Sequence, residues 1–545
     1  MRSFLLIIVA IFMPLGVARP VYADNIVARW IQLGPGSSSP APTLQNFGDA
    51  PTGLTPTILA RAVIDGGACP SAILDGGPAL TMTKRFDAAT LTGGLPVGSG
   101  FSDYPDYFVS AGAVPGRFGN GDPRATESWT LCEAIVPSGH VRARIGDVDL
   151  ALPVANPKRI LVLGDSGCRL NAGTPKVPPR DTAHATGGVE QNCLDPARFP
   201  LRVLSEQAAA LHPDLIVHVG DYFYRDSSCM KDGKEFVPGC TDPASPAYEP
   251  WGDTFDAWNG DVLLPARPLL SAAPWVMVRG NHESCGRGGR GWFALLDPHP
   301  YDPALVRCQR NAGAAIVSGD TPVYSGDFRP TYVVPAGGEN LLVHDGSYAD
   351  DYQPDVNLAR NFELDIRRVL AALPVGSRNV FVTHRPPYGM VASAVTSAGN
   401  ATEQFMLSGN ALSGSIFTNG VPETITLLLS GHIHLFQYIQ FADVARFPPQ
   451  LIVGTGGDSL DQTINPDKTN PDYALADQDF TVRGVPDPAG TAVVRVTRAF
   501  AQARFGFALL EPTGDGYIVD VHTIDGQGEG RCTITLAPRG IKCWR

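Results

Sequence analysis

Five short apolar runs in this chain stop abruptly on residues that bind metals or move protons. They read ILVLGDSG (160–167), LIVHVGDYFY (215–224), WVMVRGNHE (275–283), VFVTHRP (380–386) and TLLLSGHIH (426–434). An apolar run of this length bounded by turn formers reads as a buried strand. A strand that delivers a polar side chain from its C-terminal end is how α/β sheets build sites. The five exits supply Asp165, Asp221, Asn281, His384, His432 and His434, with Tyr224 three residues beyond Asp221.

This set meets the needs of a centre with two metal ions, which requires one ligand shared by both ions and terminal ligands on each side. A carboxylate suits the bridge because its two oxygens reach both cations and its charge offsets their repulsion. Imidazole and amide oxygen suit borderline divalent ions such as zinc, manganese or iron, whereas a phenolate favours a trivalent ion. Taken singly, Asp165 and Asp221 could be turn or helix-capping carboxylates, Asn281 a turn residue, Tyr224 loop packing, and His282 or His384 structural. The recurrence of one pattern at five strand exits points instead to a two-metal centre for phosphoester hydrolysis. His184, His212 and His344 fall outside these stretches, His218 lies within a strand run and not at its exit, and all four read as ordinary residues.

With 545 residues the chain can hold at least two domains with sizeable cores. Its net charge of −12 argues against a nucleic-acid coat or an anionic membrane surface, which would need a basic face. It does not exclude a small phosphorylated substrate, because buried dications would dominate the local field. Arg2, the apolar stretch Phe4 to Val17 and the small-x-small Val21-Tyr22-Ala23 predict a cleaved export signal over 1–23. That predicts a secreted or periplasmic protein, and no later apolar stretch is long enough to span a membrane.

The ten cysteines agree with an oxidising compartment, and none has the CxxC spacing of a thiolate metal site. Nearest-neighbour pairing is the simplest arrangement: Cys69–Cys132, Cys168–Cys193, Cys229–Cys240, Cys285–Cys308 and Cys532–Cys543. Residues 24–155 are rich in turn formers and short β-type runs, which predicts a small β-sandwich. Pro153 to Pro157 reads as a linker. From 156 to 545 strands alternate with helices, expected at 200–212, 254–270 and 357–373, before later strands take over. The fold class expected is therefore α+β, a layered sandwich rather than a doubly wound sheet.

The ordered set GDSG, GDYFY, GNHE, THRP and GHIH resembles the calcineurin-like metallophosphoesterase superfamily, and within it is most similar to the purple acid phosphatases. The first motif lacks the histidine of the DxH form, and GDxxY places Tyr224 where those phosphatases hold an iron-bound tyrosinate. GTGG (454–457) and FGF (505–507) also fit. One departure is Phe381, where the family has valine. The resemblance covers about 158–525 and implies a layered αββα catalytic domain after the β-sandwich-like one. It implies that Asp165, Asp221, Tyr224 and His434 bind a ferric ion, and that Asp221, Asn281, His384 and His432 bind a divalent one (zinc, manganese or iron), with two divalent ions as the variant. It further implies phosphomonoester hydrolysis by in-line attack of a metal-bound hydroxide. His282 would contact phosphate or protonate the leaving group, Glu283 would orient His282, and Asn281 would help bind substrate. Arg385, read from its position alone, could reach substrate or form a surface salt bridge.

A phosphodiesterase or nucleotidase on the same centre, or a non-catalytic metal-stabilised binding protein, are the alternatives. The run GRGGRG (286–291) formally matches a dinucleotide loop but neither follows a strand nor opens a helix, so it reads as a loop beside the metals. There Arg287 or Arg290 could touch substrate. No GxSxG elbow supports a serine hydrolase.

Overall fold

The computed structural model describes residues 25–36, 55–87, 129–170, 190–225, 228–231, 233–284, 287–301, 322, 328–351, 353–391, 399–463, 472–481, 493–527 and 530–544. The expected export signal, the Cys285–Cys308 pair, His184 and the side chain of Arg290 lie outside the described residues.

Two large sheets carry the fold. Among the described residues one has eleven strands, and its centre is built from Ile160–Leu163, Leu215–His218 and Trp275–Met277, all parallel. The other has eight, with Asn340–Val343, Asn379–Val382, Ile425–Ser430 and Gln450–Val453 parallel at its centre. Side chains alternate across a strand, and the apolar runs are long enough to bury both faces. Ile160, Val162, Leu215 and Val217 pack inward against Val380, Val382, Leu427, Leu429, Leu451 and Val453 of the opposite sheet. The alternate residues Leu161, Leu163 and Ile216 pack outward on the helices Leu201–Ala210 and Arg267–Leu270. On the other side Phe381, Leu428 and Ile452 face the helices Val356–Ala372 and Ala401–Leu407. The layers are therefore αββα, as expected.

The helix expected over 254–270 is broken. It runs as Phe255–Trp258, a widened turn Asn259–Leu263 and Arg267–Leu270. Pro265 and Pro268 lack the N–H that would continue the ladder.

Before residue 155, a four-stranded sheet (Ala79–Thr81, Ser71–Leu74, Arg142–Ile145, Val148–Ala151) packs Ala72, Leu74, Ala143 and Ile145 on Ala60, Ala62, Cys132 and Ala134. That is a β-sandwich. Its larger sheet is one end of the eleven-stranded sheet, joined to the rest where Ile26–Gly34 runs parallel to Trp275–Met277. The buried Arg61 ties the two parts further, donating to the Leu295 and Asp297 carbonyls at 3.0 and 2.9 Å and pairing with Glu133.

Four of the nearest-neighbour disulfides are present, Cys69–Cys132, Cys168–Cys193, Cys229–Cys240 and Cys532–Cys543. No helix among the described residues is long and apolar enough to cross a membrane.

Candidate metal centre

The C-terminal ends of the parallel strands of both sheets converge, and the five motif turns meet there. Three of the residues so placed, Asp165, Asp221 and His432, have left-handed backbones, with φ of 56°, 55° and 69°. That conformation is costly for any residue with a Cβ and persists where surrounding structure over-determines it. Here it turns each side chain out of its strand direction and into the cleft between the sheets.

One group of donors gathers around the Tyr224 hydroxyl. Its oxygen lies 3.1 Å from Asp165 Oδ1, 3.0 Å from Asp221 Oδ2 and 2.9 Å from His434 Nε2. Asp165 Oδ1 is itself 3.3 Å from His434 Nε2. His434 presents Nε2 because its Nδ1 faces the Ser459 carbonyl at 2.7 Å.

A second group gathers on the other side of the same Asp221 oxygen. His384 Nε2 is 3.1 Å from Asp221 Oδ2 and 3.0 Å from Asn281 Oδ1, while its Nδ1 faces the Val219 carbonyl at 2.8 Å. Asp221, His384 and His432 offer donor atoms within 4.8 Å of one another. Asp221 Oδ2 thus belongs to both groups, as a bridging carboxylate would.

The donor set fits metal ions. Ligands held ~2.1 Å from an ion at right angles stand ~3 Å apart, which is the spacing seen here. Fixing Nδ1 on a carbonyl while Nε2 points into the site is how metal-binding histidines are oriented.

Close backbone approaches lock the arrangement. Gly220, at φ 100°, lies under the His384 ring, and a Cβ there would sit 2.5 Å from Nδ1. Gly280 leaves no room either, since a Cβ would overlap the Asp221 nitrogen and Oδ1. Glu283 accepts the N–H groups of Asp221, Tyr222, Phe223 and Gly280 at 3.1, 2.8, 3.0 and 2.9 Å. Asp261 accepts those of Tyr224 and Cys168 at 2.8 and 3.2 Å and pairs with Arg225.

Burial and mutual charge set the electrostatics. Burial opposes ionisation of Asp221, but His384 and His282 beside it hold its carboxyl well below the usual range. Burial opposes protonation of His384, yet Asp221 pushes it up to about 9. Against the same burial, Asp458 and Asp165 push His434 up to about 10. His432 is brought down to about 4, mainly by burial. Burial, with Asp221 and Asp165 adding to it, raises the Tyr224 phenol well above its ordinary value. A cation among these groups would relieve that pressure, because anionic oxygen and neutral imidazole are the forms it binds.

All seven expected ligand positions lie in these two groups. His282 sits against them, with its ring centroid 3.9 Å from that of Tyr224 and its backbone N–H on Asp221 Oδ1 at 2.8 Å. Glu283 does something other than expected. Its carboxylate faces backbone amides and holds the turn that carries Asp221. Arg385 is drawn to Asp351. Asp351 and Asp458 were not visible as site residues in the sequence, yet Asp351 faces His432 Nε2 at 3.2 Å and Asp458 lies 3.3 Å from His434 Nδ1. Asp458 also pairs with Arg169, whose guanidinium lies 4.7 Å from the Tyr224 ring centroid. Asp458 directly follows the GTGG stretch, a signal that could have drawn attention to it; Asp351 lies in a loop with several acidic neighbours and had none.

Residues 158–436 match the family model described as calcineurin-like phosphoesterase. Among solved structures, the chain is similar to PhoD, at 10% identity over 97% of this chain and 94% of that one, with a TM-score of 0.44. It is similar to a dimetal phosphatase from Danio rerio at 11% identity, over 68% and 97% of the two chains, with a TM-score of 0.32. A third is GAP50, the anchor in the inner membrane complex of Plasmodium, at 14% identity over 71% and 90%, with a TM-score of 0.29. No curated protein sequence matches the chain.

Proposed function

The chain belongs to the calcineurin-like phosphoesterase family, and from that premise we propose an exported phosphomonoesterase of the purple acid phosphatase type. The observation that carries this reading is the Tyr224 hydroxyl, which stands among Asp165, Asp221 and His434. A phenolate there selects a trivalent ion, so the first group would hold iron(III). Asp221, Asn281, His384 and His432 would hold a divalent ion such as zinc, manganese or iron. Bound there, the two ions would polarise a phosphoryl oxygen, activate water and offset the charge that builds in the transition state.

The protein's own groups then orient the substrate. His282 is buried on Tyr224, and burial together with Arg287 lowers its proton affinity well below the ordinary value. As a neutral ring it donates a hydrogen bond to a phosphoryl or leaving oxygen, and a phosphate's charge restores the basicity it needs to carry a proton. Glu283 acts one step back, by holding the backbone of Asp221 to Phe223. Arg385 would reach the phosphate from the His432 side. Residues 24–155 serve as a structural unit and 156–545 as the catalytic one. Four disulfides support an oxidising compartment.

The test is hydrolysis of a phosphomonoester, a phosphodiester and a nucleotide in parallel, with metal analysis on the same sample. Fastest turnover of the monoester, lost on chelation, is the expected result. A diester or nucleotide preference would move the assignment to the alternative phosphoesterase classes. No turnover of any of them with both ions bound would leave a binding protein.

A further inference from the structure

His432 is held differently from the other two imidazoles of the centre. His384 and His434 each turn Nδ1 to a backbone carbonyl and leave Nε2 for the site. His432 instead turns Nε2 to a carboxylate, Asp351 Oδ2, at 3.2 Å. Asp351 is placed by two further side chains. Asn400 Nδ2 donates to its Oδ1 at 2.9 Å, and Arg385 pairs with Oδ2. The side chain of Asp351 is 13% exposed, so the pair is largely shielded from water. Asp351 stands outside the group of mutually close donors formed by Asp221, His384 and His432.

We propose that Asp351 is a positioning residue for His432, accepting its Nε2–H so that Nδ1 is the nitrogen turned to the ion, with Arg385 and Asn400 holding the carboxylate in place. A carboxylate on the far nitrogen fixes the tautomer and ring orientation and makes the imidazole a better donor. This gives Arg385 a second task besides any contact with phosphate. The inference rests on the two-ion reading of the site, but not on the identity of the substrate.

The test titrates zinc into metal-depleted protein and reads the affinity of each ion, for the unaltered chain and for Asp351→Asn, Asp351→Ala, His432→Ala and the His432→Ala/Asp351→Ala double variant. Asp351→Ala should weaken one ion by about 10- to 100-fold and leave the Tyr224-side ion bound, which also shows that the variant is folded. Asp351→Asn, whose amide oxygen can still accept, should fall between. Adding Asp351→Ala to His432→Ala should cost nothing more, because the carboxylate acts through the ring. Unchanged affinities in Asp351→Ala, or a further loss in the double variant that marks Asp351 as a ligand itself, would overturn the proposal. Absence of ion binding by the unaltered chain overturns it together with the proposed function. Two ions bound without phosphoester turnover overturns only that function.

Discussion

The Tyr224 hydroxyl lies 3.0 Å from the Oδ2 of Asp221, the same oxygen that stands 3.1 Å from His384 Nε2. One carboxylate oxygen therefore separates a phenol from an imidazole, and the two sides of the site differ in chemistry as well as position. Tyr224→Phe keeps the buried ring and removes only the oxygen. We expect the oxidised protein to show a broad tyrosinate-to-iron(III) band that this variant abolishes. A colourless protein with two divalent ions would remove the purple acid phosphatase assignment and the role of Tyr224, but not the phosphoesterase reading.

Gly280→Ala tests the closest approach in the site. The added carbon would meet the Asp221 backbone and carboxylate, so the bridge must shift. Loss of both bound ions with the secondary structure retained is the expected result, read by metal analysis and circular dichroism. Strain of this kind costs on the order of 1–3 kcal/mol of stability. Retention of both ions at full occupancy would show that the turn can yield.

Arg225 is buried between Glu249 and Asp261, and Asp261 holds the backbone of Tyr224. Arg225→Met leaves two buried carboxylates without their cation, which costs about 3–5 kcal/mol. Denaturant unfolding should show that loss. An unchanged midpoint would mean that the carboxylates are neutral in the folded protein.

Glu403, beside the strand end that carries His384, gives a further pH dependence. It is fully buried, and its Oε1 accepts the Thr383 hydroxyl at 2.9 Å. Burial outweighs that bond and raises its pKa to about 8. Below the unfolded value of about 4.3 both states are protonated. As pH rises from there the unfolded chain releases the proton and the folded one keeps it, so stability falls until about 8. Glu403→Gln should flatten that decline between pH 5 and 8 in thermal unfolding. A decline of the same slope in the variant would assign it to another group.

Much of the centre could be read before any coordinates, because its signal is local. A buried strand and the turn that ends it are adjacent in sequence, so Asp165, Asp221, Asn281, His384 and His432 each came with their own apolar run. The same locality made the short cysteine loops readable as nearest neighbours. What was not readable depends on distance along the chain. Glu283 looked like a partner for its neighbour His282, yet its carboxylate reaches back some sixty positions to the Asp221 turn. Asp351 comes eighty-one residues before the histidine it faces. The pairing of Ile26–Gly34 with Trp275–Met277 is longer still, and no turn or spacing announces it.

That last pairing bears on the order in which the protein can be assembled. The strand Ile26–Gly34 is made some 250 residues before its neighbour Trp275–Met277. Until that neighbour is made, among the described strands, it has Thr57–Asp65 beside it, and one open rim to keep from other chains. Such waiting is slow and invites misassociation. The converse applies to a shortened chain. A piece beginning at residue 156 would bare the Trp275–Met277 rim, a few residues from Asn281, and a naked rim next to a catalytic turn is an invitation to pair with a stranger.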